Sequence, residues 1–161
     1  MAMPEDMIGE LKVLTGGNVV FVGIGNEMRG DDGAGPVIIR RIRDRAGRPC
    51  IDAGVAPENY LEKILSFSAS TVVLFDAVHL DQKAGAVRIM DALNLPELPG
   101  LSTHCLSLSM FCDYLKTRGV TSIFLVGIQP ASVSFNAPLS REVALAVDSL
   151  SSGVVEACVH A

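Results

Sequence analysis

The sequence predicts an α/β fold, a three-layer α/β/α sandwich around a mostly parallel five-stranded sheet whose fourth strand runs antiparallel. Three observations lead there. Short β-branched runs alternate along the chain with segments of helical periodicity. Aromatic residues are only 5% and Trp is absent, so Val, Ile, Leu and Ala must fill the core, as they do in parallel sheets that are aliphatic on both faces. One connection between strands is too short for a parallel crossover.

The elements follow in order. Residues 18–24, Asn-Val-Val-Phe-Val-Gly-Ile, form a β-branched run between glycine clusters and read as the first strand. After Asp31-Asp32-Gly33, residues 34–45 place Val37, Ile38 and Ile42 at helical spacing, with basic residues toward the end. A short strand over 49–51 ends in Asp52-Ala53-Gly54, and a helix over 57–66 starts with Pro57 in its first turn, where a missing N–H costs little. Strand three, residues 71–75, is the most β-branched in the chain and terminates at Asp76. About nine residues separate it from the next apolar run, 86–90, so strand four should run antiparallel to strand three. A proline-rich loop, 95–100, leads through Ser102-Thr103-His104 to a helix over 106–117. Strand five is 122–128, ended by Gln129-Pro130, and a last helix over 140–150 has Ser140 as its expected N-cap.

Composition bounds the function. At 161 residues the chain reads as one domain over 1–161, and 49% hydrophobic against 19% charged residues excludes disorder. Apolar runs are too short for a spanning helix, and the acidic start has no apolar signal core, so the expectation is a cytoplasmic protein without membrane attachment. Thirteen basic and 18 acidic residues give a net charge of −5, which argues against nucleic acid as a partner. The basic residues between 40 and 48 read as one solvated helix face. The four cysteines contain no CxxC pair and read as small apolar residues.

Ligands of open α/β sheets bind at the carboxyl ends of the strands. Here those ends repeatedly carry polar residues: Asn26, Asp31 and Asp32 after strand one, Asp52 after strand two, Asp76 after strand three, Gln129 after strand five. Carboxylates at three strand mouths crowd like charge, which a cation or a shared proton relieves. Asp32, Asp76 and the loop residue His104 make an O, O, N set suited to Zn, Ni or Mn, and three protein ligands leave the metal open to a reactant. Structural readings stand beside this one. Asp32 also suits a helix cap, Asp76 a strand-terminating turn and Asp52 an Asx-turn. His79 reads as a solvent-side loop residue and His160 as part of an untethered tail. Gly23-Ile24-Gly25-Asn26 lacks the third glycine of a dinucleotide loop, since position 28 is Met28, and neither a Walker A loop nor a GxSxG elbow is present. Cys105 beside His104 is a poor candidate for a nucleophile, because such pairs normally meet through the fold.

The run Gly23-Ile24-Gly25-Asn26-Glu27-Met28-Arg29-Gly30-Asp31-Asp32-Gly33-Ala34-Gly35 resembles the signature of the [NiFe]-hydrogenase maturation endopeptidases. The resemblance continues through Asp52-Ala53-Gly54-Val55-Ala56-Pro57-Glu58-Asn59, Phe75-Asp76-Ala77, Ser102-Thr103-His104 and Phe124-Leu125-Val126-Gly127-Ile128-Gln129-Pro130, spanning about residues 18–150. The Ala-Pro-Glu-Asn and Gly-Ile-Gln-Pro segments look most like the branch serving formate-hydrogenlyase-type, hydrogenase 3 enzymes.

The resemblance implies a phosphorylase/hydrolase-like sandwich and an aspartyl-type endopeptidase. Its substrate would be the hydrogenase large-subunit precursor, trimmed of a C-terminal extension after nickel insertion. The family's metal ligands fall on Asp32, Asp76 and His104, with Asp52 a further candidate catalytic or supporting carboxylate. Nickel is then carried by the substrate, and the purified enzyme is expected to be metal-free. Glu27 lies close enough to Asp32 to compete as a ligand, and Cys105 would add a soft donor. The alternative function class is a non-catalytic metal- or nucleotide-binding α/β module, which would leave the precursor's mass unchanged.

Overall fold

Five strands, β1 (Val19–Ile24), β2 (Cys50–Gly54), β3 (Thr71–Ala77), β4 (Val87–Asp91) and β5 (Ser122–Ile128), pair into one sheet in the order β2-β1-β3-β5-β4. The computed structural model describes residues 3–95 and 108–160. All pairs are parallel except β4 with β5. The fourth strand therefore has the direction expected of it, but its neighbour is β5, and residues 78–86 reach it by crossing the carboxyl end of that strand. Hydrogen bonds fix the crossing: Val78 N–H donates to the Ile128 carbonyl at 2.9 Å and Gln129 N–H to the Ala86 carbonyl at 2.8 Å.

Alternation along the strands supplies two cores. Val19, Phe21, Val73, Phe75, Val126 and Ile128 face α1 (Glu5–Thr15), α2 (Ala34–Ile42) and α5 (Arg141–Val159). Val20, Val22, Ile51, Val72, Leu74 and Leu125 face α3 (Leu61–Ser66) and α4 (Leu108–Thr117). All six residues of β1 are buried, as befits a central strand covered on both sides. Phe21 and Phe75 supply a tilted ring contact, with centroids 5.9 Å apart.

Several boundaries differ from expectation. Helix α2 stops at Ile42, and the chain closes it with turns in which Arg45 and Ala46 N–H both donate to the Ile42 carbonyl. The segment 57–66 divides into a 3-10 turn, Pro57–Tyr60, followed by α3. Strands β2 and β3 run on to Gly54 and Ala77, so Asp52 and Asp76 sit inside strand ends.

Helix α1 was not expected, and α5 continues nine residues past 150 to Val159. These two differences have one cause. Leu11 and Leu14 of α1 join Leu150, Val154 and Ala157 of α5 in one core, and Gly153 brings the helices close, since a Cβ there would stand 2.9 Å from the Met3 sulfur. Tertiary packing thus overrides the break that Ser151-Ser152-Gly153 suggests. His160 is consequently tied down, its N–H donating to the Glu156 carbonyl at 3.3 Å. Ser140 caps α5 as expected, accepting from Val143 N–H at 3.4 Å.

Cys50, Cys112 and Cys158 are free thiols, and burial pushes the Cys112 thiol up to about 12, in keeping with a small apolar role. Among the described residues no helix is long and apolar enough to cross a membrane.

Candidate active site

Two glycines shape the turn after β1. Gly25 has φ +138°, and a Cβ on it would run into the Asp32 carbonyl. Gly35, in the first turn of α2, lies so close to the Ile24 and Phe75 carbonyls that a side chain there would strike both. The glycines bring the 3-10 turn Gly30–Gly33 down onto the ends of β1 and β3. Asn26 N–H then donates to Asp32 Oδ2 at 2.9 Å, so this carboxylate closes the turn it belongs to. The cap reading for Asp32 does not hold for α2, whose N-cap is Gly33 with no side-chain bond.

Asp76 is the next-to-last residue of β3, on the same pleat face as Val72 and Leu74. It is buried, and its Oδ1 has no hydrogen-bond partner among the described residues. Burial pushes its pKa well above the usual carboxylate range, and the Asp32 charge adds to the push, against a hydrogen bond from the Ala77 backbone. The structure therefore brings Asp32 and Asp76 together as an interacting acid pair. Such a pair accommodates a cation, or holds a proton ready for transfer. No group of three or more potential metal-ligating side chains gathers among the described residues. His104, the third expected ligand, and Cys105 lie outside them.

The other sequence candidates have different tasks. Asp52 Oδ1 accepts from Gly54 N–H at 3.1 Å, an Asx-turn at the end of β2. Its pleat neighbours Ile51 and Ala53 face the core under α3 and α4, so Asp52 points to the opposite side of the sheet from Asp76. There it stands near Arg40, whose charged form it favours. Glu27 is held by Arg40 through two bonds of 2.7 and 2.6 Å, which lower its pKa and engage both its oxygens. Gln129 organises the crossing loop: its Oε1 accepts from Leu80 N–H at 2.6 Å and Gln82 N–H at 3.4 Å. His79 is exposed in that loop, as expected.

Asp31, named among the strand-end acids, has a role the sequence did not show. It is 0% exposed and accepts from Ala131 N–H (2.8 Å), Ser132 N–H (3.0 Å), Ser140 N–H (2.6 Å) and Ser140 Oγ (3.0 Å). Adjacent acids in one 3-10 turn thus divide the work, Asp31 clamping the loop before α5 and Asp32 meeting Asp76. Nothing local signals this, because the donors lie about 100 residues away in sequence. Glu58 is a second surprise. Its Oε2 is buried without a partner in the turn after β2, the only other carboxylate oxygen so placed among the described residues.

A mostly parallel sandwich with a buried acid, Asp76, beside the half-buried Asp32 at its carboxyl edge has the arrangement of an α/β enzyme. The model of the family HycI, hydrogenase maturation protease, matches residues 38–157. The chain is 31% identical over 133 residues to the hydrogenase 3 maturation protease of Escherichia coli K12, covering 81% of this chain and 85% of that protein. A putative hydrogenase maturation protease of Methanocaldococcus jannaschii is 29% identical over 164 residues, covering 96% and 95%. The crystal structure of a [NiFe] hydrogenase maturation protease HycI from Thermococcus kodakarensis superposes with a TM-score of 0.84 at 29% identity, covering 93% of this chain and 98% of that one. The protein belongs to the hydrogenase maturation protease family and is a peptidase, not a non-catalytic binding module.

Proposed function

We propose that the protein is an aspartyl-type endopeptidase that removes the C-terminal extension of a [NiFe]-hydrogenase large-subunit precursor once nickel has been inserted. One observation carries this reading: Asp76 is buried beside Asp32 with an oxygen that no described residue satisfies. A divalent cation presented by the substrate relieves both the repulsion and the unfilled acceptor. Asp32 and Asp76, with His104, meet the nickel that the precursor carries, and the enzyme needs no resident metal.

Contact with the seated metal fixes the scissile bond against the acid pair. Hydrolysis adds the oxygen of one water to the carbonyl carbon, breaks the C–N bond and moves a proton from that water to the leaving amine. An aspartate of the pair, or the metal itself, activates the water. Asp52, turned to the other sheet face and bonded to Gly54, supports the strand end instead of carrying the proton. In this reading the processing takes place in the cytoplasm.

The test is the intact mass of a nickel-loaded precursor incubated with the wild type, Asp32→Asn and Asp76→Asn. Each substitution should slow shortening by about 100-fold or more. Processing at the wild-type rate by Asp76→Asn would contradict the assignment.

A further inference from the structure

Next to the turn that carries Asp32 lies an apolar surface that the hydrolytic step does not use. Phe135 is 66% exposed, Met28 56% and Val133 36%. They form one patch, because Asn136 N–H donates to the Met28 carbonyl at 2.8 Å and Arg29 Nε donates to the Val133 carbonyl at 3.4 Å. Further stitching comes from Asp31 N–H, which donates to the Ser132 carbonyl at 3.0 Å, and from Gly30, whose φ of +54° lets the turn press against that same carbonyl.

Contiguous exposed apolar side chains mark interaction sites, whereas single ones do not. Here the buried Asp31 carboxylate holds the backbone at 131, 132 and 140, so the ring is presented outward on a fixed frame. Binding sites commonly consist of such loops on a rigid scaffold. The patch is continuous with the catalytic turn, since Arg29 is three residues from Asp32. Arg29 is also the one cation in the two loops that form it, residues 25–33 and 129–140. Among the described residues no carboxylate forms a salt bridge with it, and the residue is exposed.

We infer that Phe135, Val133, Met28 and Arg29 dock the precursor segment adjoining the cleaved bond, an extended apolar stretch carrying an acidic group opposite Arg29. The inference rests on the proposed function and adds to it the chemistry by which the tail is read. Apolar side chains on the segment cover Phe135 and Val133, and the guanidinium grips a carboxylate in a forked pair.

Cleavage of a nickel-loaded precursor by the full-length protein tests this. Phe135→Ser and Arg29→Glu should each lower kcat/KM by about tenfold or more, with the loss carried by KM. Val13→Ser, on an exposed site of α1 outside the patch, should match the wild type. A precursor whose extension has its acidic residues changed to Lys should restore cleavage by Arg29→Glu, a rescue that a purely structural role would not give. Wild-type KM for both variants, on a precursor that the wild type cleaves and Asp76→Asn does not, would overturn the docking surface alone. Loss of a concentration-dependent dimer in Phe135→Ser would also overturn it, assigning the patch to a second copy of the chain. A wild type that leaves the precursor intact would instead overturn the function on which the inference rests.

Discussion

Asp76 is stabilised in its neutral form by the folded state, through burial first and the Asp32 charge second. A folded-state pKa raised in this way contributes stability that is fully present at acid pH and is lost as pH rises through the elevated value. Asp76→Asn removes the ionisation. The melting-temperature difference between Asp76→Asn and wild type should therefore widen in favour of the variant as pH is raised from acid to alkaline. A difference independent of pH would contradict the buried-acid account. Asp31 has a structural task, its carboxylate accepting from four donors. Asp31→Ala strands the 131, 132 and 140 amides and should cost roughly 3 kcal/mol in denaturant unfolding. The strand-end acids were legible because open α/β sheets gather function there. Their division of labour was not, since Asp31 and Asp32 are the same residue type in one turn and differ only in which distant backbone meets them.

At the scale of elements, the β-branched runs made the strands readable to within a few residues, and the short 78–86 connection gave the direction of β4. Its neighbour was hidden because the contacts that hold the crossing come from residues nearly 50 positions away in sequence. Gln129 supplies the acceptor that holds Leu80 and Gln82 while the chain passes over β5. Gln129→Ala should speed hydrogen exchange at the Leu80 amide and lower stability by about 1–3 kcal/mol. An unchanged Leu80 rate would show that the crossing holds by backbone bonds alone. The packing of α1 on α5 was illegible for a related reason: the buried residues of α1 are only Leu11, Leu14 and Thr15, a stripe too short to declare itself. The glycine that admits it, Gly153, reads locally as a helix breaker.

The whole molecule separates its tasks across the sheet. Helices α1, α2 and α5 build the larger core, while the carboxyl edge concentrates the acid pair, the clamped loop and the exposed apolar residues. The net charge of −5 sharpens accordingly, since several of the 18 acids have identifiable duties at that edge, and Arg29 stands against them as a lone cation in its loops. The proposed function requires the enzyme to distinguish loaded from empty precursor without holding metal itself. The most direct measurement is the intact mass of the hydrogenase large-subunit precursor after incubation with metal-free wild-type protein, with the precursor either nickel-loaded or nickel-free. The account predicts loss of the C-terminal extension from the nickel-loaded form alone. Equal shortening of both forms, or of neither, would contradict it.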